Sequence, residues 1–279
     1  MIFDTHAHYD DDWFDEDREA LLRGLSSRGV GTVINVGASM RGSRASVALA
    51  SEYPFVYASV GVHPDDAPAM SDADIGELRE LAGRDKVVAI GEIGLDYGHE
   101  EELTEAERNV KREEQKYWFR RQLALAAELS LPVIIHSRYA EGDTLAIMRE
   151  YTERFNKTEG HFPGGIIHCF SGSPETAAEY RKLGYLLGIG GVLTFKNAKR
   201  LPEVVDEAPM RQLVLETDSP YLAPVPFRGK RNDSGYLPYV VEKLAEIKGI
   251  PQEDVIRITA DNARCLFGIA EEKSMTSGE

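Results

Sequence analysis

A chain of 279 residues with 42% hydrophobic and 28% charged side chains is long enough to bury a sizeable core, in one large α/β domain or two small ones. Its 32 basic and 47 acidic residues leave a net charge of −15, which excludes a general nucleic-acid-coating role but not an enzyme whose cleft is made positive by metal ions. Two cysteines, Cys169 and Cys265, indicate no disulfide framework, the N-terminus lacks the marks of a signal peptide, and no apolar run reaches the ~18 residues of a membrane span, so a soluble cytoplasmic protein is expected.

Taken in order, Ile2–Thr5 starts a strand that runs into His6-Ala7-His8, and an acidic segment leads to a helix predicted over Phe14–Arg28. Thr32–Ala38 is the next strand, Arg41–Tyr53 the next helix, and Phe55–Val62 a third strand ending in His63-Pro64. Ser71 with Asp74 makes a capping-box start to a helix through Leu81. Val87–Ile93 is the fourth strand, an apolar run that reads as buried on both faces yet carries Glu92 near its end. A carboxylate buried there without a partner costs several kcal/mol or more, so the site must supply a cation, a proton or hydrogen bonds, unless Glu92 is a salt-bridged or surface residue. Thr104 and Glu107 form a second capping box, and Trp118, Leu123, Ala126 and Ala127 recur at helical spacing up to about Ser130.

Pro132–Ser137 is the fifth strand, followed by a helix over Asp143–Arg154, and Gly165–Phe170 is the sixth. Ser173-Pro174-Glu175 places a cap and a first-turn proline before the next helix. Tyr185–Val192 is the seventh strand, a helix containing Val204 and Val205 follows, and Leu213–Glu216 is the eighth, leading to Thr217-Asp218. After a Pro-, Gly- and base-rich loop come helices at about Tyr239–Lys248 and Gln252–Phe267, with a frayed tail after Ile269. Eight strands each followed by a helical segment, over close to the ~250 residues usual for the fold, predict a (β/α)8 TIM barrel. A single domain over residues 1–268 with a tail at 269–279 is expected, because nothing in the chain reads as a linker. An open doubly wound sheet is the second choice, but no glycine-rich phosphate loop follows the first strand.

The chemistry gathers at the strand ends. Of seven histidines, His6, His8, His63, His136 and His168 sit at the C-terminal ends of predicted strands, with Glu92 and Asp218 beside them. A barrel brings those ends to one rim, where active sites lie. Residues i and i+2 of a strand face the same way, so His6 and His8 can address one ion. Imidazole and carboxylate donors suit divalent ions such as zinc or manganese, and the set is large enough for a two-metal site with one bridging carboxylate.

The segments FDTHAH, GVHP, GEIGLDY, IHSR, HCFSGS and LETDSPYL, in that order over residues 1–268, resemble the TatD-like metal-dependent hydrolases of the amidohydrolase superfamily. The resemblance implies a barrel holding two divalent metals (Zn, Mg or Mn), one on His6, His8 and Asp218, the other on His136 and His168, with Glu92 between them. Glutamate at the end of the fourth strand replaces the carboxylated lysine of many relatives, so the bridge would not depend on carbon dioxide. Three loops depart from the pattern: Tyr139 stands where the family has an acid, Gly98–Arg112 is longer, and RGKRNDSGYLP is stretched. They bear on substrate access more than on the metals.

Asp218 is the natural general base, or a ligand only. His63 either contacts the scissile phosphate or leaving group or caps a loop. Arg138 pairs with a phosphate or a carboxylate. Arg228, Lys230 and Arg231, with Lys196, Lys199 and Arg200, form either a basic lip for an acidic substrate or ordinary solvated loops. His99 and His161 read as surface residues, and Cys169 as a non-catalytic thiol. The family implies a phosphodiesterase acting on DNA or RNA ends. Alternatives are ester or amide hydrolysis, including aminoacyl-tRNA deacylation, and a non-enzymatic metal-loaded barrel, against which the intact ligand set argues. No membrane or obligate protein partner is expected.

Overall fold

The computed structural model describes residues 1–158, 160 and 162–270, so His161 and the tail from residue 271 fall outside it. Eight strands form one sheet in chain order, every neighbouring pair parallel: β1 (Ile2–Ala7), β2 (Val30–Val36), β3 (Val56–Val60), β4 (Val87–Asp96), β5 (Val133–Arg138), β6 (Gly165–Ile167), β7 (Tyr185–Ile189) and β8 (Leu213–Leu215). Between them lie helices α1 (Arg18–Gly24), α2 (Met40–Glu52), α3 (Asp72–Ala82), α4 (Glu105–Leu129), α5 (Glu141–Thr158), α6 (Pro174–Lys182) and α7 (Arg200–Glu207), and α8 (Leu237–Lys248) and α9 (Gln252–Phe267) close the chain. The sheet curls until β8 meets β1 through one parallel bridge, Ala7 to Ser219, making the nearly closed barrel the strand–helix alternation predicted. Among the described residues no helix is long and apolar enough to cross a membrane.

Side-chain parity sorts the layers. Residues such as Val60, Ile135, Leu187 and Leu215 face outward into the apolar shell shared with the helices. Ile34, Ile134, Ile166 and Val214 fill the interior with Phe3 and Ala89, and α9 plugs the lower end with Ala260, Ala263 and Phe267. The position two beyond each of Ile134, Ile166 and Val214 points to the same interior, one layer higher. Those positions are His136, His168 and Glu216. On β1 and β4 the interior residues Phe3 and Ala89 lie three before His6 and Glu92, an odd spacing. Register irregularities between Asp4 and Ala7 and between Ile90 and Ile93 absorb it.

Several boundaries differ from the sequence pattern. The predicted Phe14–Arg28 helix is only α1, flanked by 3-10 turns at Asp12–Phe14 and Ser26–Arg28. Asp11 caps the first turn by accepting the Trp13 N–H, and Gly29 ends the second at φ 85°. β7 stops at Ile189 because Gly190-Gly191 bends the chain into a 3-10 turn, while β4 runs on to Asp96. Both capping boxes, Ser71 with Asp74 and Thr104 with Glu107, are formed, and Ser173 caps α6.

Phe267 stacks on Phe3 across the barrel floor with ring centroids 6.2 Å apart. Truncating a buried aromatic costs about 3–5 kcal/mol. Phe267→Ala should lower the free energy of denaturant unfolding by about that amount. Metal bound per folded chain should not change, because the floor lies a layer below the rim; a loss of metal at full folding would refute this separation.

Candidate metal centre

The candidate ligands gather at one end of the barrel: His6 and His136 lie near the ends of β1 and β5, His8, His168 and Asp218 follow β1, β6 and β8, and Glu92 lies within β4, which continues past it to Asp96. His6 ends β1 and stacks on the His168 ring beyond β6, centroids 3.5 Å apart, and its Nε2 faces His8 Nε2 at 3.1 Å. Glu92, 4% exposed, puts Oε1 2.7 Å from His136 Nδ1 and Oε2 3.4 and 3.7 Å from the Nε2 atoms of His6 and His8. Asp218 turns in at φ 58° with Oδ1 3.5 Å from His8, 3.6 Å from His168 and 3.9 Å from His6. Among the described residues, donor atoms lying within 4.8 Å of one another form four overlapping groups: His6, His8 and Asp218; His6, His168 and Glu216; His63, Asp96 and His136; and Glu92, His136 and His168. The first and last contain the residues that the resemblance names, and the other two bring in Glu216, Asp96 and His63.

The donors fit divalent cations for a physical reason. Two imidazole nitrogens facing each other at 3.1 Å share at most one proton, and the buried His6 Nδ1 has no partner. Buried nitrogens and carboxylate oxygens converging in this way want a shared positive charge.

A second layer holds the rings, and it contains two residues the sequence reading passed over. His8 Nδ1 is 2.8 Å from the Val36 carbonyl, which as acceptor keeps the proton on Nδ1 and leaves Nε2 facing the centre. Asp96, at the end of the extended β4, lies 3.0 Å from His136 Nε2, so that ring is set between two carboxylates. Glu216 accepts the Cys169 N–H at 2.6 Å, and its Oε1 is 3.2 Å from His168 Nδ1. Gly188 is required beneath it, since a Cβ there would lie 2.0 Å from Glu216 Oε2. The signal for Glu216 was available in its spacing from the interior Val214; Asp96 needed the knowledge that β4 continues.

The histidines and acids of the centre shift one another in pKa. Burial pushes the His136 imidazolium down, but Asp96 and Glu92 outweigh it and hold the ring at about 10. His8 and His168 are held at about 9 by their carboxylate neighbours, again against burial. Burial and the adjacent His168 push His6 down to about 4. Burial works to raise Glu92, yet His6, His136 and His168 keep it well below the ordinary carboxylate range.

The remaining candidates sort as follows. His63 lies beside His136, ring centroids 4.3 Å apart, and its Nδ1 accepts the Asp65 N–H, so it both caps its turn and borders the site. Arg138 is close to His99 (3.2 Å) and Asp96 (3.8 Å) and remains half exposed, as does the surface His99. Arg228 covers the Phe195 ring at 4.4 Å, joining the loops after β7 and β8. Arg231 is not part of a free lip: its guanidinium is paired with Asp17 at 2.6 and 2.8 Å. Lys196, Lys199, Arg228 and Lys230 are exposed and have no carboxylate partner among the described residues, whereas the exposed Arg200 acts on the Glu175 carboxylate and helps lower its pKa. Burial raises the Cys169 thiol well above its usual range, which suits a bystander.

The sequence profile described as TatD related DNase matches residues 3–268. The chain is 42% identical over 270 residues to an uncharacterized metal-dependent hydrolase, YabD, of Bacillus subtilis, covering 96% of this chain and all of that one. It is 34% identical over 273 residues to the 3'-5' ssDNA/RNA exonuclease TatD of Cronobacter sakazakii, covering 95% and 97%. The crystal structure of the TatD homologue YjjV from Escherichia coli superimposes with a TM-score of 0.84 at 31% identity, covering 96% and 98%.

Metal uptake should release protons, because His8, His136 and His168 must be neutral to ligate. Apparent affinity should therefore rise as pH climbs toward the 9–10 at which those rings are held. Calorimetry in buffers of different ionisation enthalpy measures the release, and none would refute the charge balance. Glu216→Gln should weaken metal binding ~10–100-fold without unfolding the chain.

Proposed function

Since the chain belongs to the TatD-related DNase family, whose members here are metal-dependent hydrolases, we propose that it is a phosphodiesterase trimming the ends of single-stranded DNA or RNA with two divalent ions, as a single domain over residues 1–268. The observation that carries the nucleic-acid assignment is the set of exposed cations without a carboxylate partner among the described residues, Lys196, Lys199, Arg228 and Lys230, in a chain of net charge −15. Most basic groups elsewhere on this surface are neutralised by acids; a patch left unpaired in an acidic protein serves a polyanion. Both cysteines are free, which suits the cytoplasm to which we assign it.

His6, His8 and Asp218 would hold one ion and His136 and His168 the other, with Glu92 touching both groups. Ions bound there supply Lewis acidity to the phosphate and acidify the attacking water. The side chains do the rest. Asp218 stays ionised, because His168, His8 and His6 outweigh its burial, and it accepts the proton of the water. His63, whose Nδ1 is occupied by the Asp65 N–H, keeps its proton on Nε2 and donates it toward the phosphate or the leaving oxygen. Arg138 and Arg228 hold phosphates along the chain.

Digestion of end-labelled single-stranded DNA with the metal varied, beside a simple carboxylic ester, tests the reading. Stepwise shortening that stops in chelator and returns with Mg, Mn or Zn is expected; ester cleavage without DNA cleavage would replace the proposal with ester hydrolysis. Asp218→Asn should keep much of its metal yet turn over ~10²–10⁴-fold more slowly, whereas Glu92→Ala should lose metal and activity together. Arg228→Ala with Lys230→Ala should raise KM for oligonucleotides and flatten its salt dependence, with kcat nearly unchanged.

A further inference from the structure

Trp13 and Tyr221 are 59% and 47% exposed, although neither the fold nor the metal chemistry requires aromatic rings at the rim. Large aromatics are ordinarily well buried, so an exposed pair beside a catalytic rim calls for a use. The rings lie 6.0 Å apart, tilted by 50°. They are anchored. Asp11 accepts the Trp13 N–H through Oδ1 at 2.8 Å and the Tyr221 hydroxyl through Oδ2 at 3.0 Å. Arg231, itself fixed on Asp17, donates to the Trp13 carbonyl at 2.7 Å, and Asn232 donates to that of Tyr221 at 2.8 Å.

Their place is equally defined. The Asp11 N–H bonds the His8 carbonyl at 3.1 Å and the Tyr221 N–H bonds the Asp218 carbonyl at 2.8 Å. Each ring thus hangs from a tight turn that begins at a candidate ligand. Beside Trp13 opens a groove of about 610 Å³ lined by Asp10, Asp11, Asp12, Asp15, Arg18 and Arg41. Four carboxylates against two guanidiniums repel phosphate but admit an uncharged ring, whereas the unpaired cations sit on the loops after β7 and β8.

We propose that Trp13 and Tyr221 form a stacking subsite for the terminal nucleobase of a single-stranded substrate, while the basic lip follows the phosphates of the remaining chain. This rests on the nuclease reading and adds how an end is told from an internal position: the nucleoside in the subsite has no further phosphate to place in the acidic groove. Stacking on aromatic rings is tolerant of sequence, so all bases should be accepted.

Trp118→Phe leaves Trp13 as the sole tryptophan, and in that variant deoxyadenosine 5′-monophosphate should quench the emission saturably, whereas deoxyribose 5-phosphate should not. On metal-loaded wild type, an oligonucleotide ending in adenine should be cut with a kcat/KM ~10-fold above one ending in an abasic residue. Trp13→Leu and Tyr221→Leu should bring that ratio close to one without changing the rate on the abasic end. Absence of the base-dependent quench, an unaltered ratio in both variants, or quenching that follows protein concentration and so marks self-association would each overturn the proposal. A protein that shows the quench yet cuts no oligonucleotide would refute the nuclease reading alone and leave the subsite standing.

Discussion

The constraint on which this molecule depends is a carboxylate buried among histidines. Glu92 is 4% exposed and meets rings from β1, β5 and the end of β6. In a medium that screens charge poorly, such a group persists only beside positive charge. Everything around it serves that need. The parity of β5 and β6 aims His136 and His168 inward, and two register irregularities turn His6 and Glu92 to the same point. A layer of acceptors then orients the rings.

Much of this was legible in the sequence because barrel topology converts a linear pattern into a spatial one. A polar residue that ends an apolar strand must lie on the rim, so strand order was enough to gather His6, His8, Glu92, His136, His168 and Asp218 at one end of the barrel, while their division between two ions came only from the family resemblance. Glu216 has the same signature but precedes Asp218 so closely that the later acid drew the attention. Asp96 was hidden because the glycine and leucine after Ile93 read as a strand end, while β4 carries on and pairs with β5 as far as Arg138. Tertiary ion pairs have no local signature: nothing near Arg231 in the chain shows that Asp17, 214 residues away, neutralises it. The first helix failed for a local reason, since its acids are engaged in turn capping and with Arg18 and Arg231 rather than in one regular helix.

The charge distribution of this acidic protein is uneven. Many of its acids are engaged in pairs across the helical shell, such as Arg44 with Glu77 and Arg79 with Glu128, while Lys196, Lys199, Arg228 and Lys230 on the loops after β7 and β8 have no carboxylate partner among the described residues. Far from the chain a polyanion would meet net repulsion, and only beside those cations would the local field oppose that repulsion.

The seam between β8 and β1 gives the barrel a clasp. The other strands are joined by ladders, whereas this join consists of the Ala7–Ser219 bridge, the His8 N–H on Ser219, the Asp218 N–H on His6 and the buried Asp4 holding Thr217. His6 and His8 stand on one side of that gap and Asp218 on the other. An ion gripped by all three would stitch the first strand to the last, so occupancy and barrel closure become one equilibrium. Cofactor supply would then set not only how fast the protein works but how long a folded copy survives.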